Sequence, residues 1–315
     1  FELIAVCDSN QERLDLFQSD HSVCKYKDYQ TMVTGEHLDL IVLCTPSGLH
    51  ARQAVIAAEF GCNVLTEKPM ATRWLEGLEM VKAFDQAQKY LFVVKQNRFN
   101  KTVALLKRAI MDRRFGKIRL VSTDVIWNRP QSYYDQAKWR GTWEFDGGAF
   151  MNQASHYVDL LEWLIGPVEC VNAMGSTTRN IEVEDTGVAL FKWRSGALGS
   201  LNVSMLAPNA NFKASITVVG DDGIAVLGGK AVNRIEHWQF KDEREYDKDA
   251  LSVSYDPNDI YGFGHASVYK NIAGVILGNE RPMTSGREGL RSLELLAAIH
   301  MSMRDHKTIG LPLIV

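Results

Sequence analysis

The sequence predicts an α/β fold in two parts, a Rossmann-type doubly wound parallel sheet followed by an α+β domain with a large, mainly antiparallel sheet. Short apolar runs alternate with helical patterns at the start of the chain, which is typical of a parallel sheet. Farther on, long β-branched runs follow one another through hairpin signals. The 315 residues suffice for two ordinary domains, which we place at residues 1–97 and 98–315.

The composition is that of an ordinary globular protein, with 46% hydrophobic and 23% charged residues. No apolar run reaches the length of a membrane helix, so we expect no membrane insertion. The formal net charge of −3 gives no general field for nucleic acid, and we expect no such partner. The five cysteines form no Cys-x-x-Cys pair, which suits a reducing, cytoplasmic location. We predict no metal site.

Four short apolar runs predict the strands of the N-terminal sheet. Each is bounded by residues that stop a strand or begin a helix, such as Asp, Gly and Pro. We place the strands at residues 3–7, 38–44, 63–66 and 91–94, and two of the helices at residues 51–60 and 74–88.

Asp8, with Ser9 beside it, follows the first apolar run. In a dinucleotide-binding unit an acidic residue in such a place accepts hydrogen bonds from the adenosine ribose and repels a 2′-phosphate, which favours NAD over NADP. The alternative is that Asp8 caps the next helix, although Ser9 or Asn10 could do so. The glycine-rich phosphate loop should precede Asp8. We therefore expect the first strand and this loop to lie in about 30 further residues before Phe1.

Two loops that follow buried strands are predicted to approach a ligand, because ligands bind at the carboxyl ends of strands in open α/β sheets. Thr45 and Pro46 end one strand and bring the backbone close to this edge. His50 could cap the following helix or touch a cofactor. Glu67 and Lys68 follow the next strand, which places the Lys68 ammonium where it can touch substrate or cofactor. The alternative is a solvated Lys68 paired with Glu67.

The second domain is predicted to be largely β structure. A helix at residues 102–113 precedes it, and two helices are expected after residue 258. An antiparallel sheet with helices on one side needs a cover for its other face, so we expect a homo-oligomer, a dimer or tetramer, formed through this sheet. We place its strands at residues 118–127, 168–177, 186–193, 197–205, 214–219 and 224–227.

Gly147 and Gly148 are predicted to start a helix that contains Asn152 and His156. The spacing of four residues sets both side chains on one helix face, about one turn apart. We expect this face to line the pocket. The alternative is that His156 is a satisfied core histidine and that Asn152 lies at a helix bend.

These motifs together resemble the Gfo/Idh/MocA family of NAD(P)-dependent sugar and polyol dehydrogenases. The residues that support the resemblance are Asp8, Thr45-Pro46 with His50, Glu67-Lys68-Pro69, Gln96-Asn97-Arg98-Phe99, and Gly147-Gly148 with His156. The family implies a Rossmann domain, a mainly β substrate domain and a Lys-Asp-His catalytic set. Here the Asp position, four before His156, is Asn152. The resemblance further implies NAD as the cofactor, bound by Asp8, Ser9, Thr45, Pro46, His50, Glu67, Lys68 and Gln96.

Residues 128–130, 138–153 and 179–185 resemble one branch more closely, the UDP-N-acetylglucosaminuronate 3-dehydrogenases of surface-polysaccharide (lipopolysaccharide O-antigen) biosynthesis. That branch is similar in having Asn at the position of Asn152. The resemblance implies NAD-dependent oxidation of the 3-hydroxyl of a UDP-linked N-acetylglucosaminuronate to the 3-keto sugar. A dehydrogenase of another sugar or inositol, and a cofactor-binding sensor without catalysis, stay open as alternatives. The implied substrate-binding residues are Lys68, Arg129, Trp139, Arg140, Asn152, His156 and Arg179.

The ordinary pKa values of the side chains suggest how the proton is transferred. His has an unperturbed pKa near 6.5 and Lys near 10.4, so we expect neutral His156 to accept the proton and Lys68 to donate to the developing alkoxide. Asn152 is neutral and is expected to orient the sugar.

A uronate carboxylate needs a bidentate donor, which Arg supplies. Arg140 is the first candidate for this role, because it is nearest in sequence to the glycine-led helix, and Arg129 and Arg179 are the others. The alternative for these arginines is a surface ion pair with Asp135, Glu144 or Glu182.

Overall fold

In the N-terminal part of the computed structural model, strands and helices alternate as predicted. The structure describes residues 1–19, 21–250, 252–256 and 263–314. The elements of this part are β1 (Ala5–Cys7), α1 (Gln11–Leu16), β2 (Cys24–Tyr26), α2 (Tyr29–Gly35), β3 (Leu40–Leu43), α3 (His50–Glu59), β4 (Asn63–Thr66), α4 (Trp74–Ala87) and β5 (Leu91–Val93).

All strand pairs of this part are parallel, which confirms the Rossmann-type prediction. β1 pairs with β2, and β3, β4 and β5 form a second sheet in that order. Leu43 lies opposite Thr66, and Thr66 lies opposite Val93, so the three strands end level with one another. The loops that follow them therefore share one edge of the sheet. The further strand expected before Phe1 is not tested by this structure and stays a prediction.

The second part contains the large sheet, with helices packed on one side of it. Its elements are α5 (Lys101–Met111), β6 (Ile118–Ile126), α6 (Gln131–Asp135), α7 (Ser155–Ile165), β7 (Val168–Ser176), β8 (Thr186–Trp193), β9 (Leu198–Ser204), β10 (Lys213–Gly220), β11 (Gly223–Gly228), β12 (Arg234–Phe240), α8 (Gly264–Ile276), α9 (Gly286–Asp305) and β13 (Ile309–Gly310).

This sheet has eight strands in the order β12-β11-β10-β6-β9-β8-β7-β13. Only β6 and β9 pair in parallel among the described strands of this sheet, so the prediction of a mainly antiparallel sheet is confirmed. The sequence did not predict β2, β12 or β13. β2 has three residues and β13 two, and most positions of β12 are not fully buried, so none of them shows a continuous apolar run.

The two faces of this sheet differ in their surroundings. Along β8 the side chains of Ala189, Phe191 and Trp193 are buried in the core. Those of Val188 and Leu190, which alternate with them, are exposed, as the two-residue period of a strand requires. Neighbouring strands add further apolar side chains to the open face. We call this set the outer apolar stripe, and it consists of Leu120, Met174, Val188, Leu190 and Leu198.

α9 joins the two parts of the chain, because it packs against α4 and β5 on one side and α7 and β7 on the other. Close approach depends on glycine at this junction. A Cβ on Gly289 would lie 2.5 Å from a methyl carbon of Val93, and a Cβ on Gly286 would lie 2.7 Å from Leu91. This packing places the loop after β5 directly against α7. None of the described helices is both long and apolar enough to cross a membrane.

Candidate active site

Lys68 lies just beyond the carboxyl end of β4, whose four residues are all buried. Its Nζ donates to the main-chain oxygen of Asn152 at 2.9 Å and to Oδ1 of the same residue at 3.1 Å. The structure thus brings together two predicted site residues that are 84 positions apart. The solvated Lys68–Glu67 pair does not form, since Lys68 is largely buried and the Glu67 carboxylate accepts the Lys68 main-chain N–H at 3.2 Å.

The predicted helix around Asn152 requires a correction. Residues Ala149–Gln153 form a single π-helical turn, and α7 begins only at Ser155, so Asn152 and His156 do not share one regular α-helix. The buried Glu184 caps the start of this turn, since its Oε1 accepts the N–H of Phe150 at 2.9 Å. The wider π turn directs Asn152 toward Lys68 and leaves His156 in the first turn of α7. Such turns occur frequently at functional sites.

His156 is buried beside Gln96. The Nε2 of His156 lies 3.2 Å from the Nε2 of Gln96, and the other ring nitrogen, Nδ1, is buried without a partner among the described residues. Burial lowers the pKa of His156 well below its ordinary value, and the positive charges of Lys68 and Lys95 lower it further. The ring is therefore neutral near pH 7 and binds a proton only weakly.

The sequence analysis missed a buried ion network behind His156. Arg98 binds the Asp159 carboxylate with two hydrogen bonds, of 2.8 Å and 2.7 Å, and Lys95 Nζ lies 3.3 Å from the same carboxylate. Burial alone would raise the pKa of Asp159, but Lys95 and Arg98 hold it far below its usual range. The network ties the loop after β5 to α7 and, through Ser292, to α9. A charged residue in the otherwise apolar stretch of α7 was the available signal.

A second missed residue is Asp146, which is buried behind Asn152. Its Oδ2 accepts the N–H of Gly141 at 2.7 Å, and its Oδ1 accepts a hydrogen bond from Nδ2 of Asn152. Burial raises the pKa of Asp146, while the contacts with Asn152 and Gly141 and the charge of Lys68 oppose this change. The sequence offered only an Asp directly before two glycines, which gave no indication of burial.

Arg129 and Arg140 stack on the same ring, that of Tyr133. Their guanidinium carbons lie 5.1 Å and 4.1 Å from its centroid, and Arg140 also lies 5.7 Å from the Trp139 ring. The Nη1 of Arg129 donates to Asn128 and Asn211, and that of Arg140 to Tyr133 and Gln136. Within the described ranges neither arginine has a carboxylate partner.

In Arg179, as in Arg129 and Arg140, the side-chain Nε is buried without a hydrogen-bond partner among the described residues. The predicted alternative for these three residues was an ion pair with Asp135, Glu144 or Glu182. No such pair occurs in the part of the chain that the structure describes. Arg129 lies close enough to Lys68 for its charge to lower the Lys68 pKa. Arg129 therefore adds a positive charge near Lys68 and pairs with none of the described carboxylates.

The predicted cofactor residues lie at the strand-end edge. Asn10 caps α1 by accepting from the N–H groups of residues 12 and 13, so Asp8 does not cap this helix, and its side chain is one-third exposed. Thr45 and Pro46 follow β3, Glu67 follows β4 and Gln96 follows β5. The Oε1 of Gln96 is buried without a partner among the described residues. An open acceptor at the end of β5 fits the carboxamide of a dinucleotide, and the exposed carboxylate after β1 fits its ribose hydroxyls.

His50 occupies a structural position between two of these loops. Its ring nitrogens lie 2.8 Å from the main-chain oxygens of Pro69 and Thr45, and the side chain is buried. Burial lowers the pKa of His50, although the two carbonyl acceptors oppose this change. His50 thus holds the Thr45 loop beside the Lys68 loop. Among the described residues no group of three His, Cys, Asp or Glu side chains is arranged to hold a metal ion.

Comparison with known proteins agrees with this architecture. Residues 1–95 match the profile described as the oxidoreductase family, NAD-binding Rossmann fold, and residues 103–226 match the GFO/IDH/MocA C-terminal domain. The chain belongs to the Gfo/Idh/MocA oxidoreductase family. Among the curated Gfo/Idh/MocA relatives, myo-inositol 2-dehydrogenase of Thermotoga maritima is 25% identical, over 98% of this chain and 91% of that protein.

Two solved Gfo/Idh/MocA structures are more similar. The WlbA dehydrogenase of Chromobacterium violaceum is 52% identical, and the match covers all of this chain and 89% of that one with a TM-score of 0.95. The WlbA dehydrogenase of Bordetella pertussis is 51% identical over 99% of this chain and 91% of that one, with a TM-score of 0.97. Both proteins were solved in complex with NADH and UDP-GlcNAcA.

Proposed function

We propose that this protein is an NAD-dependent dehydrogenase that oxidises the 3-hydroxyl of UDP-N-acetylglucosaminuronate to the 3-keto sugar. The observation that carries the proposal is the contact between Lys68 and Asn152, formed close to Arg129, which pairs with none of the described carboxylates. The complexes of two proteins about half identical to this chain with NADH and UDP-GlcNAcA support the same substrate and cofactor.

The cofactor is assigned to the strand-end edge. Asp8 and Ser9 would hold the adenosine ribose, the Thr45-Pro46 loop, steadied by His50, would lie along the dinucleotide, and Glu67, Lys68 and Gln96 would border the nicotinamide. Bound there, NAD supplies the acceptor for the hydride that leaves carbon 3 of the sugar. The protein's own task is to orient the alcohol and to take its proton.

The geometry around Lys68 favours this residue as the proton acceptor. Two N–H groups of Lys68 Nζ are directed to the two oxygens of Asn152. When Lys68 is uncharged, the one remaining position on the tetrahedral nitrogen is therefore its lone pair. Burial lowers the pKa of Lys68, the charges of Glu67 and Asp146 raise it, and those of Arg129 and Lys95 lower it. An amine form near neutral pH is therefore more accessible than for a solvated lysine.

His156 takes a different role from the one that its ordinary pKa suggests. Because its pKa is far below the usual value, it binds a proton weakly and serves better as a neutral hydrogen-bonding group toward the sugar. Gln96 fixes the ring by its contact with Nε2, and Nδ1 has no partner among the described residues. We therefore revise the sequence-based proposal, and assign the proton to Lys68, sugar orientation to Asn152 and a hydrogen bond to His156.

The arginines are assigned to the anionic parts of the substrate. A UDP-linked uronate carries two phosphates and a carboxylate. Arg129, Arg140 and Arg179 each have a buried Nε without a partner, and bidentate binding of carboxylate or phosphate uses such N–H groups. Arg129 acts on Lys68 electrostatically, so we place the uronate carboxylate at Arg129 and the pyrophosphate toward Arg140, Trp139 and Arg179.

The outer apolar stripe supports assembly as a homo-oligomer. Leu120 pairs with Leu198 in the sheet register, and Met174 pairs with Val188, so the exposed apolar side chains adjoin one another across strands. A second copy of the same face would cover them.

We also propose that the two domains divide between residues 97 and 98, that the protein is cytoplasmic and that it acts in surface-polysaccharide biosynthesis.

The proposal can be tested with the purified protein and defined substrates. NADH formation should be followed at 340 nm (the absorbance of reduced nicotinamide) with UDP-N-acetylglucosaminuronate, UDP-N-acetylglucosamine and myo-inositol, and the co-purifying small molecules should be identified by mass. We expect turnover only with the uronate. Turnover of inositol alone would assign the protein to another dehydrogenase class. Tight NAD binding without turnover of any of the three sugars would favour a sensor.

A further inference from the structure

Asp146 has no role in the function proposed above, yet it is one of the most deeply buried carboxylates near Lys68, with 1% of its surface exposed. The contacts of its two oxygens are with N–H groups, the main-chain N–H of Gly141 at 2.7 Å and the side-chain amide of Asn152. A protonated carboxyl group would need an acceptor for its O–H, and neither contact supplies one. The ionised form is the one that this environment accommodates.

The contact fixes the direction of the Asn152 amide. Its NH₂ group donates to Asp146, so its Oδ1 must face Lys68 Nζ, which it meets at 3.1 Å. The reversed amide would turn its oxygen toward the ionised Asp146 carboxylate, which is a repulsive contact, and its NH₂ toward Lys68, which is repulsive whenever Lys68 is an ammonium. Asp146, Asn152 and Lys68 therefore form a polar chain with a single favourable orientation.

We propose that Asp146 is the positioning residue of the active site, which orients the Asn152 amide and so holds Lys68 with its third tetrahedral position free for the substrate. This inference rests on the proposed function for the identity of the reaction. The effect on Lys68 itself is a property of the protein alone and can be measured without a sugar substrate.

The charge of Asp146 also affects the proton affinity of Lys68. The charged groups that act on Lys68 are Glu67 and Asp146, which raise its pKa, and Arg129 and Lys95, which lower it. Asp146→Asn removes one of the two raising charges. The Lys68 pKa should fall, and the amine form should then be populated at lower pH.

Asp146→Asn, Asn152→Asp and the double variant make the decisive experiment. Asp146→Asn should lower kcat about 10- to 100-fold through loss of orientation, leave the Kd for NADH within about twofold, and move the acid limb of the pH profile of kcat/KM to lower pH. Asn152→Asp should also lower kcat, because it places two carboxylates in contact. In the double variant the amide and the carboxylate have exchanged places, so kcat should recover at least tenfold over Asn152→Asp.

A second readout does not depend on turnover. The rate of Lys68 modification by trinitrobenzenesulfonate, followed by peptide mass against pH, reports the Lys68 pKa. We expect this pKa to be lower in Asp146→Asn than in wild type, and unchanged in Asp135→Asn, an exposed carboxylate whose partner is Gln131. An unchanged Lys68 pKa in Asp146→Asn overturns the inference, even if the wild type oxidises a different sugar. If Asp146→Asn does not fold, Asn152→Asp and the double variant decide, and absence of recovery overturns it.

Discussion

Arg98 and Asp159 form a buried bidentate ion pair, with Nε and Nη2 of the arginine 2.8 Å and 2.7 Å from the two carboxylate oxygens. Asp159 lies one helical turn after His156 on α7, and Arg98 lies two residues after Gln96. The pair therefore fixes the two backbone segments that bring Gln96 against His156. Its contribution is positional, because both charges are removed from water and neither reaches the substrate side of His156 through any described contact.

Asp159→Asn should destabilise the protein strongly, because it leaves Arg98 and Lys95 buried without a full counter-charge. Breaking a buried pair from one side costs roughly 3–5 kcal/mol. Urea unfolding followed by circular dichroism measures this difference. Asp221→Asn is the matched control, since Asp221 also binds an arginine, Arg119, through two bonds of 2.8 Å, but at the surface. We expect no measurable change for the control, and equal losses for both variants would contradict the argument.

The same variant predicts a pH dependence of stability. The pKa of Asp159 is depressed in the folded protein, so its contribution is complete above the unfolded value of about 3.9 and is lost as pH falls through the folded value. The difference in unfolding free energy between wild type and Asp159→Asn should be the same at pH 7 and pH 5. It should be smaller at pH 3. A difference that shrinks between pH 7 and pH 5 would point to another titrating group.

Lys68→Ala should abolish most turnover while preserving cofactor binding. Removal of a positioned proton acceptor costs roughly 10²- to 10⁴-fold in rate, and the predicted cofactor residues lie mainly in other loops. Steady-state kinetics and NADH fluorescence titration separate the two effects. Lys82→Ala, an exposed lysine on α4, should match wild type in both assays. Turnover of Lys68→Ala within a fewfold of wild type would remove Lys68 from the mechanism.

The strand-and-helix order and the position of Lys68 could be predicted because they depend on local patterns. An apolar run stopped by Glu67-Lys68-Pro69 specifies a strand end. Residue type also predicts a helix cap among Asp8, Ser9 and Asn10, and the structure selects Asn10. The fold class could be predicted for the same reason, since alternation of buried strands with helices is visible without tertiary contacts.

The π turn at Asn152 could not be predicted in this way. The start of this turn is capped by the carboxylate of Glu184, which is 34 residues away and accepts the Phe150 N–H, and no local pattern indicates such a contact. Likewise, Asp159 meets Arg98 across 61 residues, and no periodicity indicates which charged residue of a helix is buried with a partner. The low pKa of His156 also depends on tertiary structure, because it results from burial and from the charges of Lys68 and Lys95. The ordinary pKa of histidine reflects none of these.

Asp8 leads to a prediction about cofactor choice. Its carboxylate accepts the main-chain N–H of Asn10 at 2.8 Å, lies 3.4 Å from Nη1 of the exposed Arg13 and is one-third exposed, and we place the adenosine ribose at its exposed side. A 2′-phosphate there would meet a like charge, and we expect kcat/KM with NAD to exceed that with NADP. Asp8→Ala should reduce the preference for NAD, because it removes the repulsion between the carboxylate and the 2′-phosphate of NADP. A wild-type preference for NADP would leave Asp8 without the proposed role.

The last prediction concerns the substrate carboxylate. Arg129 and Arg140 share the Tyr133 ring, and Arg129 is among the main charges that lower the Lys68 pKa. Arg129→Lys should therefore raise KM for UDP-N-acetylglucosaminuronate by roughly 10-fold or more, because a lysine cannot form the bidentate pair. Arg140→Lys is the matched control. It should raise KM equally for UDP-N-acetylglucosaminuronate and for UDP-N-acetylglucosamine, where the latter is turned over, because both sugars carry the diphosphate. If wild type oxidises the two sugars equally well, no arginine here binds a carboxylate, and the protein is a sugar dehydrogenase that does not require a uronate.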